Sequence, residues 1–264
     1  METAGTEASP WKPFKSEDGQ WYRWRLNGAQ ACVRRDGGLW TAVFCRIPLE
    51  RFGGVFQGPA KEDPPSVDEA PAAMETVFFR GKGETVRMRV CLGSRPVVLS
   101  TKEPLRISPG SRIRCRAFFP PLVKLELSSG KIIAEFEPFL PPLTFWGQDT
   151  MNGEVCGCLP LGFQEGDVRP SSLAVCDISL RNSGKAVTEI REIAVFPATI
   201  SVWLAGGLLV ADDLEIDFLD SGSRQKVLRP DRPDKELLNA GAKRSAGESL
   251  ARRGAGFIKN IVSV

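Results

Sequence analysis

Apolar and polar side chains alternate along most of this chain. Trp21–Leu26 alternates aromatic or aliphatic residues with arginines, and Thr85–Leu92 places four apolar residues opposite Arg87 and Arg89. In Arg112–Ala117, three arginines alternate with apolar residues. A period of two is typical of a strand with one buried and one solvated face. One-sided strands of this kind favour antiparallel pairing.

Short polar segments separate these strands at regular intervals. Asp36-Gly37-Gly38, Ser128–Lys131 and Arg181–Lys185 each lie between two such strands and have the composition of hairpin turns. Many short one-sided strands with polar turns predict an all-β protein, with one or more antiparallel β-sandwiches of immunoglobulin-like character. The flanking strands are predicted at Gln30–Val33, Trp40–Ile47, Leu122–Leu127, Ile132–Phe136, Leu173–Leu180 and Ala186–Phe196.

Composition suggests three regions. Residues 1–19 read as a flexible lead-in, and residues 20–223 form the β-rich body, with a subdivision offered at the proline-rich segment 58–73. Residues 224–264 form a basic tail with ten Lys and Arg against four Asp and Glu, although the whole chain carries only +3. Residues 235–246 lack β-branched side chains, so part of 234–262 is predicted to be helical, the tail being otherwise disordered.

The chain contains no histidine. This excludes Ser-His-Asp and Cys-His nucleophile systems and histidine-ligated zinc. Glycine-rich phosphate loops are also missing, so no cofactor is predicted. The seven cysteines lack zinc-ligand spacing and are interpreted as reduced, buried thiols; no metal site is predicted. An enzymatic role is therefore disfavoured.

Acid–base chemistry by carboxylates alone would be compatible with the absence of histidine. Asp212, Asp213, Glu215 and Asp217 are candidates for a hydrolase that acts on carbohydrate. Alternation along a strand equally explains such acids as solvent-facing residues. No catalytic residue is assigned from the sequence.

Two segments are candidates for binding. Trp21, Tyr22, Arg23 and Trp24 could stack against bases or sugars, or could simply fill the faces of a sheet. The segment Phe145–Gly153 reads as a loop, in which Trp146, Gln148, Asp149 and Asn152 could contact a ligand. The alternative is an ordered connection that uses Trp146 as a plug.

The tail has three interpretations. It could be a docked or solvated helix, an element that inserts Phe257 and Ile258 into a protein groove, or a contact for a membrane surface or another polyanion. The basic candidates are Lys243, Arg244, Arg252 and Arg253. Because Glu236 and Glu248 interrupt the positive charge, nucleic acid is disfavoured as a partner.

The apolar runs are too short for a transmembrane helix, and the first ten residues lack the pattern of a secretory leader. The sequence therefore predicts a cytoplasmic protein.

The segment Leu140–Gly147, followed by Asn152–Cys156, resembles a signature of an uncharacterised prokaryotic family, domain of unknown function 432. The strand–turn–strand around Asn182 and the opening Trp21-Tyr22-Arg23 are also similar to that family. Gly157 and Cys158 stand where the family tends to place a basic and an aromatic residue. The resemblance implies a β-rich protein without an assigned activity. It supports the fold and adds nothing to the mechanism. The excluded chemistries favour a non-enzymatic binding or scaffold module, whose partner is unknown and could be a protein.

Overall fold

The computed structural model describes residues 10–26, 29–46, 57–64, 74–146, 153–162, 173–232 and 234–241. In these residues the regular structure is almost wholly β-strand, with one 3-10 turn at Pro197–Thr199, which confirms the all-β prediction. No helix in the described ranges is long and apolar enough to cross a bilayer. The chain divides into two compact units: Met1–Cys91 with Pro121–Phe139, and Leu92–Pro120 with Leu140–Val264.

The strands are numbered in chain order. The first ten are β1 (Phe14–Lys15), β2 (Trp21–Leu26), β3 (Ala29–Asp36), β4 (Leu39–Arg46), β5 (Gln57–Lys61), β6 (Met74–Arg80), β7 (Thr85–Leu92), β8 (Val97–Ile107), β9 (Arg112–Phe119) and β10 (Pro121–Leu127). The others are β11 (Ile132–Phe136), β12 (Leu143–Trp146), β13 (Glu154–Pro160), β14 (Ala174–Asn182), β15 (Thr188–Val195), β16 (Val202–Ala205), β17 (Leu208–Ala211), β18 (Asp213–Leu219), β19 (Gly222–Leu228) and β20 (Lys235–Asn239).

The first unit is a sandwich of two antiparallel sheets. One sheet has the order β1-β7-β10-β11, and the other has the order β5-β2-β3-β4-β6. Alternation along β2 turns Tyr22 and Trp24 inward, where both rings make edge contacts with Phe14 of the opposite sheet. The rings of Phe44 and Phe136 stack across the same core at a centroid distance of 4.8 Å. Aromatic side chains thus join the two sheets.

The second unit contains a four-stranded sheet of order β12-β13-β8-β15 and a seven-stranded sheet. In the seven-stranded sheet, β14 pairs with β9 on one side and with both β17 and β18 on the other. Strands β16 and β20 continue from β17, and β19 continues from β18. The sheet therefore forks after β14, because the single residue Asp212 separates β17 from β18.

Three strand pairs in this unit depart from the antiparallel pairing that the sequence favoured. Strand β13 runs parallel to β8, and β17 and β18 run parallel to β14. Residue alternation reports which face is buried; it favours antiparallel neighbours but does not fix the direction of each one. The alternation itself is confirmed, for example in β9, where Cys115 and Ala117 are buried and Arg112 and Arg114 are exposed.

Two segments that were expected to be irregular or helical contain strands. Gln57–Lys61 pairs with β2, so the loop expected from residue 58 does not begin until residue 62. Gly222–Leu228 and Lys235–Asn239 are strands inside the expected tail, so the helix expected after Pro233 is wrong at Lys235–Asn239. Residues 242–264 and 65–73 lie outside the described residues.

Candidate binding surface

The aromatic candidates of β2 are mostly part of the protein interior. Tyr22 and Trp24 are buried in the first unit's core, and Trp21 packs against the buried Cys32, Val43 and Cys45 on the other face of the sheet. These positions fit the alternative that such residues fill sheet faces. Arg23 lies between Tyr22 and Trp24 in the sequence, and its guanidinium is 3.5 Å from the Glu62 carboxylate.

Glu62 also accepts hydrogen bonds from Arg25, so one carboxylate bridges two arginines. The hydrogen bond from Arg25 holds the pKa of Glu62 below its ordinary value, although partial burial opposes this effect. Arg23 and Arg25 are therefore already paired within the protein.

In the Phe145–Gly153 segment, Trp146 is buried in a cluster with Val98 and Cys156, as expected of a plug. Gln148, Asp149 and Asn152 lie outside the described residues, and so do the tail candidates Lys243, Arg244, Arg252, Arg253, Phe257 and Ile258. Their proposed contacts stay predictions.

The hairpin formed by β12 and β13 carries an exposed apolar surface that was not recognised from the sequence. Leu143 and Val155 are 60% and 56% exposed, Phe145 is 47% exposed, and Leu140 just before β12 is 53% exposed. Phe145 lies directly opposite Val155, and Leu143 lies directly opposite Gly157. We call these four residues, Leu140, Leu143, Phe145 and Val155, the hairpin surface.

Register explains why these side chains are apolar. Gly157 pairs with Val97 of β8, and two residues further on Leu159 pairs with Leu99. Directly opposed residues in a sheet share a face, so Leu143, Phe145 and Val155 lie on the same face as the buried Leu159 and Leu99. The apolar side chains on this face of the sheet are buried near β8 and exposed to solvent near the edge strand β12.

Glycine and proline residues shape this hairpin locally. A Cβ atom at Gly153 would overlap the ring of Phe145, so only glycine lets the ring lie there. At the other end, a Cβ at Gly157 would come within 2.8 Å of the Pro141 ring. The sequence signal for this packing is the pair of glycines, Gly153 and Gly157, that lie two residues before and two residues after Val155.

The acids of the second unit are mostly engaged with cations or main-chain donors. Arg116 donates to Asp177 at 2.7 Å, and Arg112 donates to Glu215 at 3.0 Å. Asp217 lies directly opposite Arg181 and Arg224 on the neighbouring strands. These pairs belong to the solvated face of a sheet.

Asp212 has a structural role at the fork of the sheet. Its carboxylate accepts hydrogen bonds from the Trp203 indole at 2.7 Å and from the Ser201 N–H at 2.8 Å. Its carbonyl accepts a hydrogen bond from the Cys176 thiol. The buried acid thus fixes the position at which β17 ends and β18 begins.

Asp213 is the acid whose titration is most perturbed among those described. Partial burial, followed by the negative charge of Asp177, raises the pKa of Asp213 to about 6. Within the described ranges, no group of three or more Cys, Asp or Glu side chains is arranged to hold a metal ion.

All seven cysteines are free thiols, and all but the half-buried Cys158 are buried. Burial raises the pKa of Cys32 and of Cys115 to about 12 and that of Cys156 to about 11. Because the thiolate is the reactive form, these groups are poor nucleophiles at neutral pH.

A family model described as "Protein of unknown function (DUF432)" matches residues 10–257 of the chain. No curated protein and no solved structure is similar enough to the chain to count as a match.

Proposed function

We propose that this chain, which belongs to the DUF432 family of proteins of unknown function, is a non-enzymatic binding module that contacts a protein through the hairpin surface. The observation that carries the proposal is the set of three large apolar side chains on one sheet face, Leu143, Phe145 and Val155, each about half exposed, with the 53% exposed Leu140 just before β12.

The area of the surface supports this proposal. A fully exposed side chain of this kind presents about 150–200 Å². At the observed exposures, the four side chains present about 350–400 Å² of apolar area, within the range of about 300–600 Å² for the largest and often functional patches of monomeric proteins. Covering such an area is worth about 25 cal/mol per Å², so exposing it to water is costly unless a partner covers it.

The alternative of a carboxylate hydrolase has weaker support. Glycosidases need one carboxylic acid and one carboxylate that are free to act on either side of a sugar. Here Glu215 and Asp177 are paired with arginines, and Asp212 supports the Trp203 indole. Asp213 has the raised pKa of an acid catalyst, but that shift follows from partial burial and a neighbouring charge, which structural acids share.

Site-specific photocrosslinking tests the proposal. The photoreactive residue p-benzoylphenylalanine replaces Phe145 in the full-length chain, in cells that normally produce the protein. The matched control carries it at Phe78, a 68% exposed phenylalanine on edge strand β6 of the first unit. We expect irradiation to give protein adducts at position 145 well above those at position 78. Equal yields at both positions, or no adduct at 145, would overturn the proposal.

A further inference from the structure

Strand β12 lies at the edge of its sheet, with β13 as its only partner among the described strands. The direction of its main-chain groups follows from the hydrogen bonds of β13. The Cys158 N–H donates to the carbonyl of Pro142, the residue just before β12. The Gly157 N–H points away from β12 and donates to the Pro96 carbonyl. Hydrogen-bonded and non-bonded positions alternate along an antiparallel pair. Thr144 therefore bonds β13, while Leu143 and Phe145 direct their N–H and C=O groups outward from the edge.

These outward groups define one register for a further antiparallel strand. If a copy of β12 pairs with itself about a two-fold axis through Thr144, Leu143 of each copy lies opposite Phe145 of the other. Leu143 and Phe145 then exchange both of their hydrogen bonds with the second copy. In this register, the N–H and C=O groups of Leu143 and Phe145 that point away from β13 all find partners in the second copy.

We infer that a second copy of this chain pairs along β12 in this register and packs its Leu143 and Phe145 beside the Phe145 and Leu143 of the first copy. The inference rests on the proposed function and names its partner. The two-fold arrangement keeps the face of the sheet, so the hairpin surfaces of the two copies become one continuous apolar surface with Leu143–Phe145 pairs at its centre.

The composition of the edge fits self-association. Edge strands are commonly protected by charged residues or by proline within the strand. Leu143–Trp146 contains neither, and Thr144, the residue on the axis, carries no charge that would repel its copy. Two residues before Leu143, Pro141 is the next residue whose main chain would face the second copy. Because proline has no N–H, the pairing ends there.

The size of the contact predicts a weak dimer. Pairing along the edge buries the main chain of β12 and the flanks of Leu143 and Phe145, while the face of the sheet stays in water, so the contact is smaller than about 1,000 Å², the lower limit for a specific interface. We therefore expect reversible association in the micromolar range rather than a permanent complex.

Analytical ultracentrifugation of the purified full-length protein tests the association, over about 1–500 µM for a contact of this size. We expect a concentration-dependent dimer, and Thr144→Lys to weaken it at least about tenfold because two ammonium groups meet at the axis. The matched control is Thr76→Lys, an exposed threonine on the edge strand β6, which leaves the dimer unchanged.

A cysteine variant tests the register without adding charge. Residues that face each other at a non-hydrogen-bonded antiparallel position are close enough for a disulfide. Thr144→Cys is expected to give a disulfide-linked dimer under mild oxidation, whereas Thr76→Cys and the wild-type chain, with its buried thiols, give none. Leu143→Cys crosslinks to Phe145→Cys in a mixture, and neither crosslinks efficiently to itself.

The outcomes separate the two proposals. A monomer at every concentration, with no crosslink through Thr144→Cys, overturns the dimer. If position 145 then still forms adducts with a different protein in cells, the binding module stands without its self-pairing. A dimer that Thr144→Lys leaves intact while folded, as judged by an unchanged thermal transition, overturns the register and the inference with it.

Discussion

Asn182 lies fully buried in the second unit, and every polar group of its side chain has a main-chain partner. Its amide donates to the carbonyls of Ile107 and Ala186, both at 2.8 Å, and its side-chain oxygen accepts from the Gly184 N–H at 2.9 Å. One side chain thus holds the turn between β14 and β15 and ties it to the end of β8. The resemblance to a known family placed Asn182 at this turn, but only the structure assigns its bonds.

Replacing Asn182 by alanine would remove three hydrogen bonds, of which the one to the Ile107 carbonyl is buried and the other two are partly buried. Each such loss costs about 1–3 kcal/mol, so we expect Asn182→Ala to lower the free energy of unfolding by about 3 kcal/mol or more. Urea denaturation measures the change. Thr101→Ala, which removes an exposed hydrogen bond to the Arg191 carbonyl, serves as the control and is expected to cost less than about 1 kcal/mol. Equal effects of the two variants would refute this role.

Asp213 makes the stability of the protein depend on pH. Partial burial and the charge of Asp177 raise its pKa to about 6 from the ordinary 3.8, so the folded state binds the proton more tightly than the unfolded state does. Its favourable contribution is therefore complete below about pH 4 and is lost as the pH rises through 6.

Asp213→Asn, which imitates the protonated acid, is expected to raise the thermal midpoint at pH 8 and to have little effect at pH 4. Differential scanning calorimetry at the two pH values measures the difference. Asp217→Asn is the matched control on the same face of β18, where Arg181 and Arg224 lie opposite the acid, and it should give no gain at pH 8. A gain for Asp213→Asn that is the same at both pH values would contradict the assignment.

At the scale of elements, the β12–β13 hairpin depends on Gly153. The Phe145 ring occupies the space in which a side chain at position 153 would lie. The hairpin surface is therefore a built feature rather than a loose end of the sheet.

Gly153→Ala forces the Phe145 ring to move, and overpacking of this kind costs about 1–3 kcal/mol. We expect a lower thermal midpoint and, because Leu143 and Phe145 no longer align, weaker self-association in the ultracentrifuge. Gly38→Ala is the control, since nothing lies within 4 Å of a Cβ at that position. An unchanged dimer in a folded Gly153→Ala variant would argue against a role for Phe145 in the contact.

Residue alternation predicted the strands whose two faces differ clearly, such as β2, β7 and β9. It failed at β5, which contains glycine and proline, and at β20, which contains helix-forming residues. These segments are strands because they pair with β2 and β16, and local propensity does not encode such pairing. It also missed the hairpin surface. Leu143, Phe145 and Val155 have the pattern of inward-facing residues, and only the position of β12 at the sheet edge leaves them uncovered.

At the scale of the whole molecule, the two units divide the buried thiols. Cys32, Cys45 and Cys91 belong to the first unit, and Cys115, Cys156 and Cys176 belong to the second. Because a buried thiol is labelled only when its unit opens, the thiols report on the cooperativity of each unit.

Pulsed alkylation across a urea gradient, read by mass spectrometry, is expected to label the thiols of each unit as a group. The half-buried Cys158 should be labelled first, already without urea. Cys32 and Cys45 pack in one cluster, so separate labelling of these two residues would contradict a cooperative first unit.

The order of segments along the chain has a consequence for synthesis on the ribosome. The first unit lacks two strands of its sandwich until β10 and β11 have emerged, and by then β8 and β9 of the second unit are already outside. Their partners β13, β14 and β15 follow only after residue 153. While the first unit folds on the ribosome, β8 and β9 are therefore exposed without their partner strands. This interval is the stage at which chaperones would be most useful.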